Sequence, residues 1–259
     1  MKTEIFIVSY SPDIQYLEYC IRSVEKFARG FSGVTLLVPT HERKMGLWAN
    51  FEYRNGIKIK LRDYTVPDNR ALWHLAHQIQ KCRAEEWCPD ADLILHTDSD
   101  CIFTEAVTPD DYIIDGKPRL MIEDFTRMPG SHWKDTTERA LGTTAKYETM
   151  RQHPAVHYAG MYGDMRRRVE AVHNMPFNDY VLAQKPDFPW GFSEFCALGA
   201  FVLIASKWKS KYHIIDLGRS PWPKTKLMQF WSHGPIDSEQ PMPNGGKGTP
   251  MAVFKMLGL

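Results

Sequence analysis

The sequence predicts an α/β fold: one domain over residues 1–259, Rossmann-like, with a mostly parallel central sheet flanked by helices. Two observations carry this. Short apolar runs alternate with helical stretches through the first hundred residues, and each run stops at polar or Pro-containing punctuation. Short apolar runs of this kind fit the inner strands of a parallel sheet, and alternation with helices implies right-handed crossovers.

Ile5 to Val8 read as the first strand, followed by Ser9-Tyr10-Ser11-Pro12. Ser11 suits an N-cap and Pro12 a first helical residue. Ile14, Leu17, Ile21, Val24 and Phe27 follow helical spacing up to Gly30. Val34 to Val38 are a second strand, 41–51 a helix, and Ile57 to Leu61 a third strand. Arg70 to Trp87 predict one long helix with Leu72, Leu75, Ala76, Ile79 and Cys82 on a shared face. The Leu93-Ile94-Leu95 run is strand four.

Beyond Asp100 the alternation breaks. Leu120 to Glu123 predict a strand, and Thr136 to Met150 an amphipathic stretch. Cys196 to Ala205 are small and apolar, and strands are expected at Tyr212 to Leu217 and Leu227 to Trp231. The Pro/Gly-rich 237–249 predicts a mobile tail, with a short helix at Met251 to Leu257. The chain divides into a ligand-binding half (1–105), a second half (106–236) and that C-terminal tail (237–259).

Composition narrows the function. The 259 residues carry a formal charge of +1, which asks for neither nucleic acid nor an anionic membrane. The five cysteines are scattered without a Cys-x-x-Cys, so a reduced, cytoplasmic setting is expected. The N-terminus lacks signal-peptide architecture, and no apolar run reaches the roughly 20 residues of a transmembrane segment. After the first strand there is no G-x-G-x-x-G, which argues against NAD or FAD. Gly245-Gly246-Lys247-Gly248-Thr249 fails as a phosphate loop, because Gly248 stands where Ser or Thr is required.

The chemistry concentrates in His96-Thr97-Asp98-Ser99-Asp100. In open α/β sheets ligands bind beyond the carboxyl ends of the strands. Two carboxylates at i and i+2 there place hard oxygen ligands beside a divalent cation and a diphosphate. The plain alternative is a strand-ending turn. Glu194, between Phe192 and Phe195, is a candidate general base if partial burial raises its pKa. It is equally a first-turn carboxylate behind an N-cap at Ser193. His74 and His77 fit a solvated or half-buried helix side, and His153 and His157 fit loop or pocket positions.

Four features now stand in order: Phe6-Ile7-Val8-Ser9-Tyr10-Ser11-Pro12-Asp13 opening a helix; a helix with Trp73, Gln78 and Lys81; the Asp98-Ser99-Asp100 strand end; and Ser193-Glu194 with Trp231-Ser232-His233-Gly234. Together they resemble the GT-A class of nucleotide-sugar glycosyltransferases, nearest to small bacterial or phage enzymes related to the glycogenin and lipopolysaccharide-sugar transferases. The resemblance implies a nucleotide-diphosphate sugar donor, a UDP-sugar in preference, and Mn²⁺ or Mg²⁺. It places Ser9 and Tyr10 at the nucleoside, and Arg70 or Lys81 at the uracil–ribose or diphosphate. Asp98 and Ser99 join the donor site, with Asp98 reaching ribose or metal. Asp100 binds the metal directly, and His233 is the third ligand. Glu194 lies at the acceptor, which is a saccharide, a lipid-linked sugar, a protein or a modified nucleic acid base. Lys247 would reach the diphosphate from a closing flap. Competing expectations are a non-catalytic sugar- or nucleotide-binding module and a nucleotidyltransferase. The latter lacks its usual Gly-rich, basic loop after the first strand.

Overall fold

Strand β1 (Thr3–Val8) is buried along its whole length, because its side chains alternate between two apolar cores. Phe6 and Val8 enter one core, and Ile5 and Ile7 enter the other. Burial on both faces is what a central strand of a helix-covered sheet requires. The computed structural model describes residues 1–52, 56–128, 133–150, 153–184, 191–221, 223–230, 234–242 and 247–259.

The chain then runs through a 3-10 turn (Ser11–Asp13), α1 (Ile14–Phe27), β2 (Val34–Pro39), α2 (Thr40–Lys44), α3 (Ala49–Glu52) and β3 (Ile59–Tyr64). A second 3-10 turn (Arg70–Leu72) leads into α4 (Trp73–Lys81), α5 (Ala84–Trp87), β4 (Leu93–His96) and β5 (Cys101–Phe103). The second half holds β6 (Ile113–Ile114), β7 (Lys117–Asp124), α6 (Trp133–Leu141), β8 (Tyr147–Glu148), β9 (Ala155–Tyr158), α7 (Ala159–His173), α8 (Phe177–Leu182) and α9 (Glu194–Ile204). After these come α10 (Ser206–Lys209), β10 (His213–Asp216), β11 (Leu227–Gln229), β12 (Gln240–Pro241), β13 (Lys247–Gly248) and α11 (Pro250–Met256).

The central sheet has the order β3-β2-β1-β4-β9. The first four strands are parallel, and β9 joins β4 antiparallel, so the sheet is mixed but mostly parallel. With helices on both faces, the architecture is α/β and compatible with a Rossmann-like fold. A second sheet, β10-β7-β6, lies in the later half, with β8 also pairing β7. No helix among the described residues is long and apolar enough to cross a membrane.

Several expectations change. The predicted 70–87 helix is broken after Lys81. The Cys82 carbonyl accepts a hydrogen bond from Arg166 Nη1 at 2.6 Å, a tertiary contact that periodicity cannot show. The predicted 41–51 helix is split at Gly46, whose φ of +74° is left-handed. The amphipathic stretch from Thr136 is helical only to Leu141. Gly142 at φ +59° ends it there, with a Cβ position only 2.8 Å from Val172 Cγ1. Ser11 does not cap α1: its backbone N–H and hydroxyl both donate to the Glu42 carboxylate. The C-terminal segment is docked rather than loose. Phe254 on α11 is fully buried, stacked on Tyr19 at 4.3 Å, and Lys26 Nζ donates to the Leu257 carbonyl at 2.6 Å.

Helix α9 is buried from Glu194 to Val202, because beyond its first residue it is apolar on every face. Gly199 at its centre lets Thr149 approach: an added Cβ would stand 2.2 Å from Thr149 Oγ1. That hydroxyl donates to the Phe195 carbonyl, so the threonine cannot turn aside without losing a buried bond. Gly199→Ala is expected to cost about 1–3 kcal/mol, read as a lower urea midpoint; an unchanged midpoint would refute this packing account.

Buried imidazoles set a pH dependence. Burial pushes His157 down to about 3. Burial, with His157 and Lys81 nearby, also lowers His96. The unfolded chain protonates these rings near 6.5, while the fold keeps them neutral to much lower pH. The unfolded state therefore binds more protons across this window, and stability falls as pH drops from about 6.5 toward 3. Urea midpoints at pH 7, 5.5 and 4.5 should decrease in that order; a flat series would mean that the rings ionise inside the fold.

Candidate functional site

The order β3-β2-β1-β4 reverses direction between β1 and β4, which makes that junction the topological switch point of the sheet. A cavity of about 180 Å³ opens there, beyond the carboxyl ends of both strands. It is lined by Val8 at the end of β1, by Tyr10 and Asp13 after it, by His77 and Lys81 of α4, and by Asp98, Ser99 and Asp100 after β4.

The turn after β1 is shaped by Glu42 gripping Ser11, which leaves Tyr10 and Asp13 at the cavity. Ser99 Oγ donates to Asp13 Oδ2 at 2.9 Å and so ties this turn to the β4 end. Asp100 is 8% exposed and accepts from Gln229 Nε2 at 3.5 Å. Its carbonyl accepts from the Phe230 N–H at 2.9 Å, because β11 pairs with β5 in antiparallel register. Burial raises the Tyr10 pKa, Asp13 and Asp100 add to this, and Arg70 opposes it.

Lys81 is the cation of the site. Its Nζ lies 2.7 Å from Asp98 Oδ1 and 2.9 Å from Glu194 Oε1, above the Phe195 ring at 5.0 Å. Burial disfavours its charge, but Asp98 and Glu194 outweigh burial, and the ammonium pKa is raised. Burial likewise opposes Asp98 ionisation, yet Lys81 and then His153 hold its carboxyl well below the usual range. His153 Nε2 approaches Asp98 Oδ2 at 3.5 Å, and its ring packs edge-on to Phe195.

Of the predicted residues, the structure gathers Tyr10, Lys81, Asp98, Ser99 and Asp100 around one cavity. Ser9 sits beside Tyr10 but is buried, 1% exposed. Arg70 lies on the exposed rim over the Trp73 ring. Glu194 is 2% exposed and locked to Lys81 rather than open toward an acceptor, and Ser193 caps its helix by accepting from the Cys196 N–H. Lys247 stands exposed on β13 and is not among the residues that line the cavity. His233 lies outside the described residues. Its neighbours are held at Phe230 by Asp100 and at Gly234, whose carbonyl accepts from Tyr16 Oη at 3.0 Å. Asp13 and His77 were missed as site residues, and His153 was read only as a loop or pocket position. The signals were present: Asp13 stands in the turn after the first strand, and His77 is one helical turn from Lys81. The basic Arg166 to Arg168 run pairs within the chain: Arg166 with Glu85 and Glu86, Arg167 with Asp164.

The donor set on the cavity wall, Asp13 and Asp100, is hard oxygen and fits Mg²⁺ or Mn²⁺ in kind. Asp98 is committed to Lys81. Among the described residues no three histidine, cysteine or carboxylate side chains stand together as a ligand group. A cation held by one or two carboxylates and completed by substrate phosphates needs no such cage.

Lys81 neutralises the buried Glu194 carboxylate and the partly buried Asp98, so its removal should be severe. Lys81→Met is expected to lose about 3–5 kcal/mol in urea unfolding. Adding Asp98→Asn and Glu194→Gln should recover part of that loss through coupling. A single variant as stable as the wild type would show that the pair contributes nothing.

Comparison with curated proteins finds no match. Residues 9–221 match a family described as a family of unknown function (DUF6492), a stretch that spans most of the chain and contains every described residue of the cavity wall except Val8. On that match the chain belongs to the DUF6492 family.

Proposed function

We propose that this protein is a metal-dependent glycosyltransferase of GT-A type, moving a sugar from a nucleotide-diphosphate donor, UDP-sugar in preference, to an acceptor hydroxyl. The observation that carries the reading is the cavity at the β1/β4 switch point, where Lys81, Asp98, Asp100 and Asp13 converge beside the Tyr10 ring. Nucleotide ligands of open α/β sheets occupy this location. The mixture of one partly buried ammonium with hard carboxylates suits a diphosphate that arrives with a divalent cation.

Glycosyl transfer asks the protein mainly for charge control, since the diphosphate leaves the anomeric carbon through an oxocarbenium-like state. A bound Mg²⁺ or Mn²⁺ would offset the charge that grows on that leaving group. Asp100 would hold it, with Asp13 beside it and His233 as the expected further ligand. Lys81 adds a fixed positive charge at the wall, and its own position is set by Asp98 and Glu194. The burial of these groups strengthens each interaction relative to water. Glu194, paired and enclosed, supports the geometry of Lys81 in this reading instead of deprotonating the acceptor.

The test is a thermal-shift and calorimetry series with UDP, with and without Mn²⁺. A ligand at 100 times its Kd stabilises the fold by about 2.7 kcal/mol, so a clear rise in Tm is expected with both present. Asp100→Asn should remove the Mn²⁺-dependent part while the protein stays folded, and UDP release from UDP-sugars should fall with it. Equal Mn²⁺-dependent shifts in both proteins, or no shift with any nucleoside diphosphate, would defeat the proposal. His233→Ala in the same series decides whether that side chain completes the ion's coordination.

A further inference from the structure

Asp13, Tyr16, Cys20 and Ser23 follow helical spacing and form one face from the turn after β1 into α1. Three of them read the stretch from β4 to β5. Asp13 accepts from Ser99 Oγ at 2.9 Å, Cys20 Sγ donates to the Asp98 carbonyl at 3.7 Å, and Ser23 Oγ accepts from the Phe103 N–H at 3.0 Å. Tyr16 turns to a different part of the chain. Its hydroxyl donates to the Gly234 carbonyl at 3.0 Å and accepts from Gln240 Nε2 at 2.8 Å.

The Tyr16 ring is 2% exposed and belongs to the core beneath the sheet. Phenylalanine would fill that place, so the hydroxyl serves the two bonds and not the packing. It also stands within the field of the cavity's carboxylates. Burial raises its pKa, the Gln240 bond opposes this, and Asp100 and Asp13 add to it. The groups that Tyr16 holds are therefore brought to the acidic end of the cavity. They follow β11, where Gln229 Nε2 and the Phe230 N–H already bond to Asp100. His233, the expected further ligand, is the residue before Gly234 in sequence. All of this lies beyond the stretch that the family match covers, which ends at residue 221. Docking of the C-terminal segment does not need Tyr16, because Phe254 stacked on Tyr19 and Lys26 bonded to the Leu257 carbonyl supply it on other turns of α1.

We infer that Tyr16 is a positioning residue for the cation: its hydroxyl latches residues 234–240 to the Asp13 and Asp100 end of the cavity, and affinity for the metal depends on that latch. The inference rests on the donor reading above and adds the residue that makes the C-terminal segment part of the site. Groups that orient a metal site from behind its ligands act in this way, through geometry and not through contact with the ion.

The test uses Tyr16→Phe, Gln240→Leu, their double variant and Lys26→Met in the full chain, with UDP and Mn²⁺ as probes. Tyr16→Phe should weaken Mn²⁺ binding at saturating UDP about tenfold and leave UDP binding without Mn²⁺ as in the wild type. Gln240→Leu removes one of the two bonds at a half-buried position, so it should show a smaller loss in the same direction, and it carries the test if Tyr16→Phe does not fold. The double variant should match Tyr16→Phe, because both changes act through one hydroxyl. Lys26→Met loosens the C-terminal segment elsewhere on α1 and should lower the urea midpoint without changing Mn²⁺ affinity. Wild-type Mn²⁺ affinity in Tyr16→Phe and Gln240→Leu would overturn the inference and leave the donor reading standing. An equal Mn²⁺ loss in Lys26→Met would overturn it by showing general loosening, and additive losses in the double variant by showing that Gln240 acts apart from Tyr16. A wild-type protein whose UDP binding does not respond to Mn²⁺ would overturn the donor reading as well.

Discussion

Lys81 is the contact on which the site depends. One ammonium, 14% exposed, joins the end of α4 to Asp98 beyond β4 and to Glu194 at the first turn of α9. Three elements far apart in sequence thus meet at a single charge. Each group pays a desolvation penalty that only its partners offset, so none of the three is stable there alone. The break after Lys81 is part of the same arrangement. Arg166, reaching from α7 to the Cys82 carbonyl, holds the chain where α4 stops.

The sheet then decides what this charge can be used for. Parallel strands place their following loops on one edge, so Tyr10, Asp13, Asp98 and Asp100 share a wall without being neighbours in sequence. Ser99 donating to Asp13 links the two turns directly. The antiparallel β11 brings Gln229 and Phe230 to Asp100 from the far end of the chain. The same edge carries a further cavity over β2 and β3, whose wall mixes the Trp73 and His41 rings with the charged Lys44 and Asp68.

Much of this was legible in the residues. Apolar runs marked β1, β2 and β4 nearly to their ends, because strands buried on both faces leave a continuous signal. The Asp98-Ser99-Asp100 triplet announced the cavity for the same reason: polar residues at the end of a buried strand must emerge at the edge. Tyr10 and Lys81 line the same cavity. Glu194 was read either as a base or as a first-turn carboxylate behind Ser193; it stands in the first turn of α9 behind the Ser193 cap, as Lys81's buried partner.

Strand identity, the helix faces and the acidic triplet are local patterns, and the sequence by itself determined them. Tertiary structure decided the rest. It broke the 70–87 helix by capturing one carbonyl, and it docked the C-terminal segment on α1 by burying Phe254. It gave Asp98 to Lys81 and set Asp13 beside Asp100. Among the described residues it also left Tyr64 Oη and His77 Nε2 without hydrogen-bond partners. Each of these depends on contacts between residues tens of positions apart. Propensity and periodicity act over a few residues, whereas charge pairing and burial act only once the chain has folded back on itself.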